Sequence, residues 1–558
     1  MFWSTVHVDI LSIGAAAVLQ AKLPNPIWLR GTVGGYFSVL GGLASGQCSF
    51  QVTLGSECKI VHKNDDSALK NIAVISQLTP GVGETEVNVF NNPQAVFNLG
   101  INKDFELSDG AASQRYRINL DYLTVSSDGG AVNGTLNWND SHTVAAYNTF
   151  DVLPPKKQIK FSVQVSFEKM ASGGWQKVLQ NGQPFVEKQE VTFTTGVAPD
   201  YIPLSNVDYS YPVIGQLNFY KGESSTGYLK LKKGQPYLFS PGSDWQQIGR
   251  FKDVAGNNAP FDFNYNSSEA RLIFTIPNAN LKTGQVYAWN FVNVPSKKTE
   301  AIDRNVTSVA SQVNVAGENT NTEIKTQQAQ GSITQLQEKT IFSSYFRSSK
   351  YSTLSDKVAA QNISTVLRGI RILWRVHYLK GSYGIDEPFD KAELYGSDYT
   401  GSKSLLSFEA DLTDNRYYNE QTYPIIYDGY PLDGDIKIIN RDPDILGVPP
   451  VRAVSIVQSP DNMELDQNDP KDPAITSSQY YLYDLSNYMY YDFQDIQQRV
   501  ANRYLSKTTT YPRMEKILWN QFPIMLKGDF KVNVRYTLPG QQNINSSKQV
   551  ILYNPIGD

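Results

Sequence analysis

The sequence predicts a mainly β, multi-domain protein made of antiparallel β-sandwiches, a polar and partly helical connector, and a β-rich C-terminal domain with one longer helix. Two observations carry this prediction. Apolar and polar residues alternate along several segments, which is the pattern of strands with one buried face and one wetted face. The 558 residues exceed what a single hydrophobic core holds, so several domains are expected.

The composition argues against several classes of function. Charged residues make up 19% of the chain and the formal net charge is −4, which gives no field that would concentrate nucleic acid or anionic lipid. Histidines and cysteines number four and two, so two of the commonest catalytic and metal-binding residue types are scarce. No run of 18 apolar residues exists, which excludes a membrane-spanning helix. We therefore expect a protein that is not an enzyme, binds no nucleic acid and has no cofactor.

Residues 1–89 are predicted to form an N-terminal β segment. Val6, Val8 and Ile10 already alternate with polar residues, so we interpret the chain as a fragment that continues an upstream domain. Further on, two alternating runs at 33–39 and 50–54 flank Gly41-Gly42, which predicts a β-hairpin. Cys48 and Cys58 are either two buried thiols or a disulfide, and a disulfide would need a sharp reversal near Gly55.

Residues 90–198 are predicted to form an antiparallel sandwich. One alternating run comprises Tyr116, Ile118, Leu120 and Tyr122. A second comprises Ile159, Phe161, Val163, Val165 and Phe167, with Lys160, Gln164 and Ser166 between them. The odd-numbered residues of the second run are expected to face the core.

Three stretches carry a resemblance to a known family. The strand VTFTTG at 191–196, the turn FKDVAGNNAPFDF at 251–263 and the strand entry LKTGQVYAWNFVNV at 281–294 are similar to bacterial immunoglobulin-like modules of the SbsA type. The resemblance covers about residues 90–298 and implies two Ig-like β-sandwiches, at 90–198 and 199–298. In that family such modules are spacers of large secreted and surface-layer proteins. The whole chain also resembles the C-terminal part of very large cell-surface proteins of Bacteroidota.

The last two predicted segments differ in character. Residues 299–365 are rich in Ser, Thr, Asn and Gln, with sparse apolar residues at a weak helical spacing, which predicts a partly helical connector. Residues 366–558 are predicted to form the C-terminal β-rich domain. There Phe530, Val532, Val534 and Tyr536 alternate as a strand, whereas 479–507 has the three-and-four spacing of a helix.

Carboxylates are the main candidates for chemistry, and each group has a structural interpretation. Asp428, Asp433 and Asp435 could serve glycoside hydrolysis, but neighbouring Gly and Pro favour turns. Another acidic run could supply oxygen ligands for calcium, although it matches no calcium loop; it comprises Asp461, Glu464, Asp466, Asp469 and Asp472. The four histidines are scattered and are interpreted as strand-face residues: His7, His62, His142 and His377. We therefore assign no catalytic, cofactor-binding or metal-binding residue.

A crowd of tyrosines gives the strongest indication of binding. The segment contains more aromatic residues than one buried helix face can hide; they are Tyr480, Tyr481, Tyr483, Tyr488, Tyr490 and Tyr491. They either cover an adjacent sheet or form a contact surface. Two hypotheses follow. The first is a structural or adhesive segment of a large extracellular surface protein, which assembles as a homo-oligomer or with further domains of the same protein and could bind a cell-surface or glycan ligand. The second is a secreted accessory protein that binds or degrades polysaccharide.

Overall fold

The computed structural model describes residues 17–22, 28–39, 44–55, 73–109, 112–296, 306–314, 321–329, 338–369, 377–384, 386–416, 418–426, 428, 453–458, 478–506, 517–519 and 529–554. The protein is mainly β, with several antiparallel sheets. Contacts divide the chain into two compact units. Unit 1 is Met1–Pro199 with Lys233–Gln235, and unit 2 is Asp200–Lys232 with Pro236–Asp558.

The N-terminal strands form a three-stranded antiparallel sheet. It consists of β1 (Ala17–Lys22), β2 (Trp28–Val39) and β3 (Ala44–Gly55), in that order. Val33 lies opposite Phe50 and Val39 opposite Ala44, so the predicted hairpin is confirmed. Its Gly41-Gly42 turn and Cys58 lie outside the described residues, and the disulfide stays an open question.

Two further sheets of unit 1 share one core. Their strands are β4 (Ile75–Thr79), β5 (Gln94–Phe97), β6 (Asp104–Asp109), β7 (Ala112–Ser127), β8 (Gly130–Ala131), β9 (Gly134–Trp138), β10 (Val144–Thr149), β11 (Gln158–Ala171), β12 (Gly174–Lys177) and β15 (Val186–Thr194). One sheet has the order β4-β5-β10-β9, and the other has the order β12-β11-β7-β6 with β15 on β11 and β8 on β7. A small hairpin, β13 (Leu179–Gln180) and β14 (Gln183–Pro184), stands apart from both.

The alternation predicted for β11 is confirmed. Ile159, Phe161 and Val163 have no exposed surface, whereas Lys160 is exposed. The buried set packs against Phe97 and other apolar residues of the facing sheet in a single cluster. Two antiparallel sheets therefore enclose the core of unit 1, as in a β-sandwich.

The alternation predicted for β7 is wrong at Tyr122. The register between β7 and β11 shifts between Gln164 and Val165: Tyr122 lies opposite Gln164, but Leu120 lies opposite Val165. Asp121 is the extra residue of this β-bulge, and an extra residue moves the following side chains to the other face. Leu120 accordingly packs on the core, and Leu123 takes the next inward position in place of Tyr122.

Unit 2 contains the remaining strands and the helices. The strands are β16 (Val207–Tyr211), β17 (Thr226–Leu231), β18 (Trp245–Asp253), β19 (Asn258–Phe261), β20 (Phe263–Asn266), β21 (Arg271–Thr275), β22 (Val286–Pro295), β23 (Val306–Asn314), β24 (Asn321–Ala329), β25 (Lys339–Arg347), β26 (Asn362–Gly369), β27 (His377–Gly384), β28 (Leu406–Asp411), β29 (Val454–Gln458), β30 (Gln479–Tyr483), β31 (Phe530–Thr537) and β32 (Ile544–Leu552). The α-helices described over at least four residues are α1 (Leu354–Ala359), α2 (Lys391–Leu394), α3 (Tyr423–Ile426) and α4 (Leu485–Leu505).

The sheets of unit 2 enclose an aromatic core. Their orders are β16-β17-β21-β20, β19-β18-β22-β25, β26-β27-β30-β29 and β28-β31-β32, with β23 and β24 as a separate pair. Phe274 of β21 lies 4.3 Å from Phe261 and 5.7 Å from Trp289, measured between ring centroids. One buried cluster continues from Ile202 to Leu552, across the boundary predicted at 298/299. The pairing of β22 with β25 crosses it too, and the five-segment division stays a prediction.

The predicted turn between β18 and β19 is present. The Asp253 carboxylate accepts the backbone N–H of Asn257 at 2.8 Å and its side-chain amide at 2.9 Å. Gly256 has φ +88°, a left-handed conformation that favours glycine. The residues that carry the resemblance to Ig-like modules therefore form a tight hairpin turn here.

Two helix predictions need correction. Residues 306–314 and 321–329 form the antiparallel pair β23–β24, so the weak helical spacing there was misleading; α1 supplies the helix of that segment. The helix predicted over 479–507 begins at Leu485, because 479–483 is the strand β30. The strand predicted at 530–536 is confirmed, with Val532, Val534 and Tyr536 fully buried.

Candidate functional site

The carboxylates singled out from the sequence lie mostly outside the described residues. Asp428 is exposed, and its backbone N–H donates to the carbonyl of Tyr423 at 2.9 Å. Its predicted companions, Asp433 and Asp435, are not described, nor is the acidic run from 461 to 472. The structure therefore does not test whether these acids lie close together.

Of the histidines, His142 has a described side chain. It stacks on the indole of Trp138 at 5.2 Å, 11° from parallel, and has φ +56° in the turn after β9. His377 begins β27, and His7 and His62 lie outside the described residues. In the described part of the chain, no three His, Cys, Asp or Glu side chains are grouped to hold a metal ion.

The tyrosine-rich segment divides into a buried part and an exposed part. Tyr481 and Tyr483 of β30 are buried, and the Tyr480 ring lies under the Lys380 ammonium at 4.0 Å. On α4, Tyr488 and Tyr491 are 40% and 62% exposed. Part of the segment therefore packs into the core, as the first interpretation predicted, and the contact surface of the second interpretation stays a prediction for the exposed rings.

Helix α4 also exposes aromatic surface at its C-terminal end. Its buried side consists of Leu485, Met489, Phe493, Ile496 and Val500. Tyr504 and Leu505 stay exposed, and Tyr504 meets the edge of Trp519, which is 73% exposed, with centroids 6.4 Å apart. We call the exposed rings Tyr488, Tyr491 and Tyr504 of α4, together with Trp519 beside Tyr504, the aromatic surface of α4.

A buried ionic cluster in unit 2 was not found by sequence reasoning. We call it the charged clasp; it comprises Arg347, Lys357, Glu387, Asp390 and Glu393. Their side chains are at most a few per cent exposed. Isolated charges cannot be buried at tolerable cost, so each must be paired or hydrogen-bonded.

The short helix α2 positions two of the acids. Asp390 is its N-cap and Glu393 its third residue, and each carboxylate accepts the other's backbone N–H, at 2.8 Å and 2.7 Å. The second oxygen of Asp390 accepts the N–H groups of Leu217 and Asn218, both at 2.9 Å. One N-cap carboxylate thus fastens α2 to a segment that lies more than 170 residues earlier.

The other clasp acid, Glu387, joins a strand end to a helix. It accepts the Ser349 hydroxyl at 2.5 Å and the Lys350 N–H at 2.7 Å. Arg347, at the end of β25, lies 3.2 Å away and Lys357 of α1 lies 3.5 Å away. The Lys357 ammonium also donates to the carbonyl of Pro388 at 3.0 Å.

Glu393 has the most unusual surroundings. One oxygen accepts the side-chain amide of Asn218 at 2.6 Å and the Asp390 N–H, and the other takes a short hydrogen bond from the Tyr220 hydroxyl. Burial raises the pKa of Glu393 to about 7; Lys357, 3.7 Å away, opposes this shift and the nearby Asp390 charge adds to it. Burial also raises the pKa of Asp390.

The geometry of the clasp is suited to holding segments together. All six carboxylate oxygens of Glu387, Asp390 and Glu393 take part in at least one hydrogen bond. The local signals in the sequence were the capping boxes Thr353-x-x-Asp356 and Asp390-x-x-Glu393. They indicate where α1 and α2 begin, but not that the two helices meet.

Comparison with known proteins gives no family assignment. No protein-family model matches the chain, and no curated protein matches it. Among solved structures, the surface layer protein SbsC, domains 1–6, aligns at 8% identity over 85% of this chain and 53% of its own, with a TM-score of 0.13. The S-layer protein rSbsC(31–844) aligns at 10% identity over 85% and 54%, with a TM-score of 0.12.

This chain spans about half the length of those two proteins. At such TM-scores the alignments do not establish a shared fold. Within the described helices, none has the length and hydropathy required to cross a membrane.

Proposed function

We propose that this chain is a non-enzymatic structural or adhesive segment of a large extracellular surface protein, and that it acts through protein–protein contacts and self-assembly. The aromatic surface of α4 is the observation that carries the proposal. Tyr and Trp offer large, rigid contact area at low entropic cost, and they are enriched at protein interfaces. A helix that turns aromatic side chains to solvent at both ends has surface to offer a second protein.

The rest of the described chain supports a load-bearing role. Antiparallel sheets enclose well-filled hydrophobic cores. The charged clasp holds separate segments of unit 2 together. The turn at Asp253–Asn257 and the two-sheet core of unit 1 agree with Ig-like spacer modules. The extracellular and cell-surface location rests on the sequence resemblance.

The test is the native mass of the protein at micromolar concentration, measured by light scattering. We expect an oligomer in the unaltered chain and a lower mass in the double variant Tyr491→Ser, Trp519→Ser, because the variant removes contact area without touching a buried side chain. Tyr395→Ser with Tyr553→Ser is the matched control, since these rings are 64% and 62% exposed outside α4. A strictly monomeric unaltered chain would contradict self-assembly.

The alternative, a polysaccharide-binding accessory protein, uses the same surface, because aromatic faces also stack on sugar rings. Glycan binding by the unaltered chain that disappears in the α4 double variant, at unchanged monomeric mass, would favour this alternative. Binding that persists in the variant would place the glycan site elsewhere and leave α4 to protein contacts.

A further inference from the structure

The charged clasp has an imbalance of formal charge. Three carboxylates, Glu387, Asp390 and Glu393, contact two cations, Arg347 and Lys357, within the described residues. With all five ionised, one uncompensated negative charge would be buried without access to water. An uncompensated buried charge is usually removed by a change of protonation.

The hydrogen bonds indicate which acid holds the extra proton. Glu387 faces both cations, and all hydrogen bonds to Asp390 come from backbone N–H groups. An N–H always donates, so these oxygens must accept. Two carboxylate oxygens have a hydroxyl partner, which can accept as well as donate: one of Glu387 faces Ser349 and one of Glu393 faces Tyr220. The Ser349 hydroxyl already accepts the Tyr351 N–H at 3.0 Å, and Glu387 faces both cations, so Glu393 is the acid that can hold the proton and donate it to its hydroxyl partner.

We propose that the clasp retains one proton on Glu393, on the oxygen that faces the Tyr220 hydroxyl, and that loss of this proton at rising pH loosens α2 from the segment 216–223. The clasp is then a proton-dependent latch inside unit 2. When the proton leaves, Tyr220 donates to the carboxylate and the cluster carries one excess negative charge.

Among the described residues, the groups that surround Glu393 include no further cation. Asp390 is on its own helix, and the groups that face it from other elements are Lys357 of α1, Glu387 before α2, Tyr220 of the 216–223 segment, Tyr383 of β27 and Tyr536 of β31. Burial raises the pKa of Tyr220 and Tyr536 well above the ordinary value, so both phenols stay neutral. At the exposed rim, Lys350 and Asp386 pair with each other at 2.8 Å.

The direction of the pH effect follows from linkage. Glu393 has an ordinary pKa of 4.5 and a folded-state pKa of about 7, so between these values the folded protein binds a proton that the unfolded chain releases. Its stabilising contribution is fully present below about pH 4.5 and is lost as the pH rises through 7. Within this window the unfolding equilibrium constant increases by up to about tenfold per pH unit.

Chemical unfolding of the full chain from pH 5 to pH 8 tests the latch. We expect Glu393→Gln to flatten the pH dependence by about one proton, since the amide keeps the shape of the protonated acid. Glu409→Gln is the control in the same unit; Glu409 pairs with Arg535 on a partly exposed face, and this variant should keep the slope of the unaltered protein. Equal slopes for the unaltered protein and Glu393→Gln would overturn the proposal.

A direct measurement covers the case in which Glu393→Gln fails to fold. Infrared difference spectra of the unaltered protein should show the carbonyl stretch of a protonated carboxylic acid at pH 6, and this band should be lost by pH 9. Amide hydrogen exchange at Leu217 and Asn218 should accelerate over the same pH range by more than the rise of the intrinsic exchange rate with pH. Absence of the carbonyl band at pH 6 would show that all three acids are ionised, and the latch would not exist.

Discussion

Val163 lies in the middle of β11 with no exposed surface, opposite Leu123 of β7 and Gln189 of β15. Replacement by Asp puts a charge among the apolar side chains of the core. We expect Val163→Asp to destabilise unit 1 by on the order of 3–5 kcal/mol, the usual cost of an unpaired buried charge. Equilibrium unfolding followed by circular dichroism measures the loss.

The control for this prediction is Thr135→Asp on the exposed side of β9, which should stay within about 0.5 kcal/mol of the unaltered protein. Similar losses at Val163 and Thr135 would mean that the inward face of β11 is wrongly assigned.

At the residue scale, alternation predicted the buried set of β11 because burial on one face of a strand is a local property of the sequence. It failed at Tyr122, where Asp121 bulges. The Asp121 carboxylate accepts hydrogen bonds from Gln164 and Ser166 of the neighbouring strand, at 2.9 Å and 2.6 Å. An acid whose partners lie 43 and 45 residues away gives no signal in its own segment.

At the element scale, the turn between β18 and β19 allows a sharp test. Gly256 has φ +88°, and any other L-residue is strained there. Gly256→Ala should therefore destabilise unit 2 by about 1 kcal/mol. Gly242→Ala is the matched control, because Gly242 has no neighbour within 4 Å of an added Cβ and no positive φ; thermal unfolding of both variants should show a lower midpoint for Gly256→Ala alone.

Elements were predictable where turn chemistry and period agreed, as in this hairpin and in β2–β3. They were predicted wrongly where the spacing of apolar residues fits both the period of a helix and the period of a strand. Val306, Val309 and Val313 suit a helical spacing, yet β-branched residues favour strands, and the segment pairs as β23. In the tyrosine-rich segment, Tyr481 fits both a helix face and the inward side of β30; pairing with β27 and β29 decides for the strand.

At the scale of the whole molecule, the boundary predicted at 298/299 can be tested by truncation. Unit 2 packs one cluster from Ile202 to Leu552, and the Tyr228 hydroxyl donates to the carbonyl of Pro539 at 2.7 Å. We therefore expect the fragment 199–298 to lack cooperative unfolding, whereas 73–199 should keep it. A cooperative transition in the isolated 199–298 fragment would support an independent Ig-like module.

The clasp could not have been predicted from the sequence, since the capping boxes indicate where α1 and α2 begin but not that their charged residues meet. The fold class was predictable because it depends on local alternation repeated many times. The aromatic surface of α4 was predictable only in part. The excess of tyrosines was visible in the sequence, but the start of α4 at Leu485 was needed to show which rings are exposed.

The distance along the chain between the clasp partners also sets an order of events during synthesis. Asn218 meets Glu393, 175 residues later, and a ribosome that adds 5–20 residues per second takes roughly 10 to 35 s to cover that interval. All described strands of unit 1 leave the exit tunnel before Glu393 is synthesised, so unit 1 can fold first. The first strands of unit 2 still lack their later partners during this interval, and their edges stay unpaired. Any chaperone or export factor that attends this protein should therefore find its longest-lived substrate between residues 200 and 390.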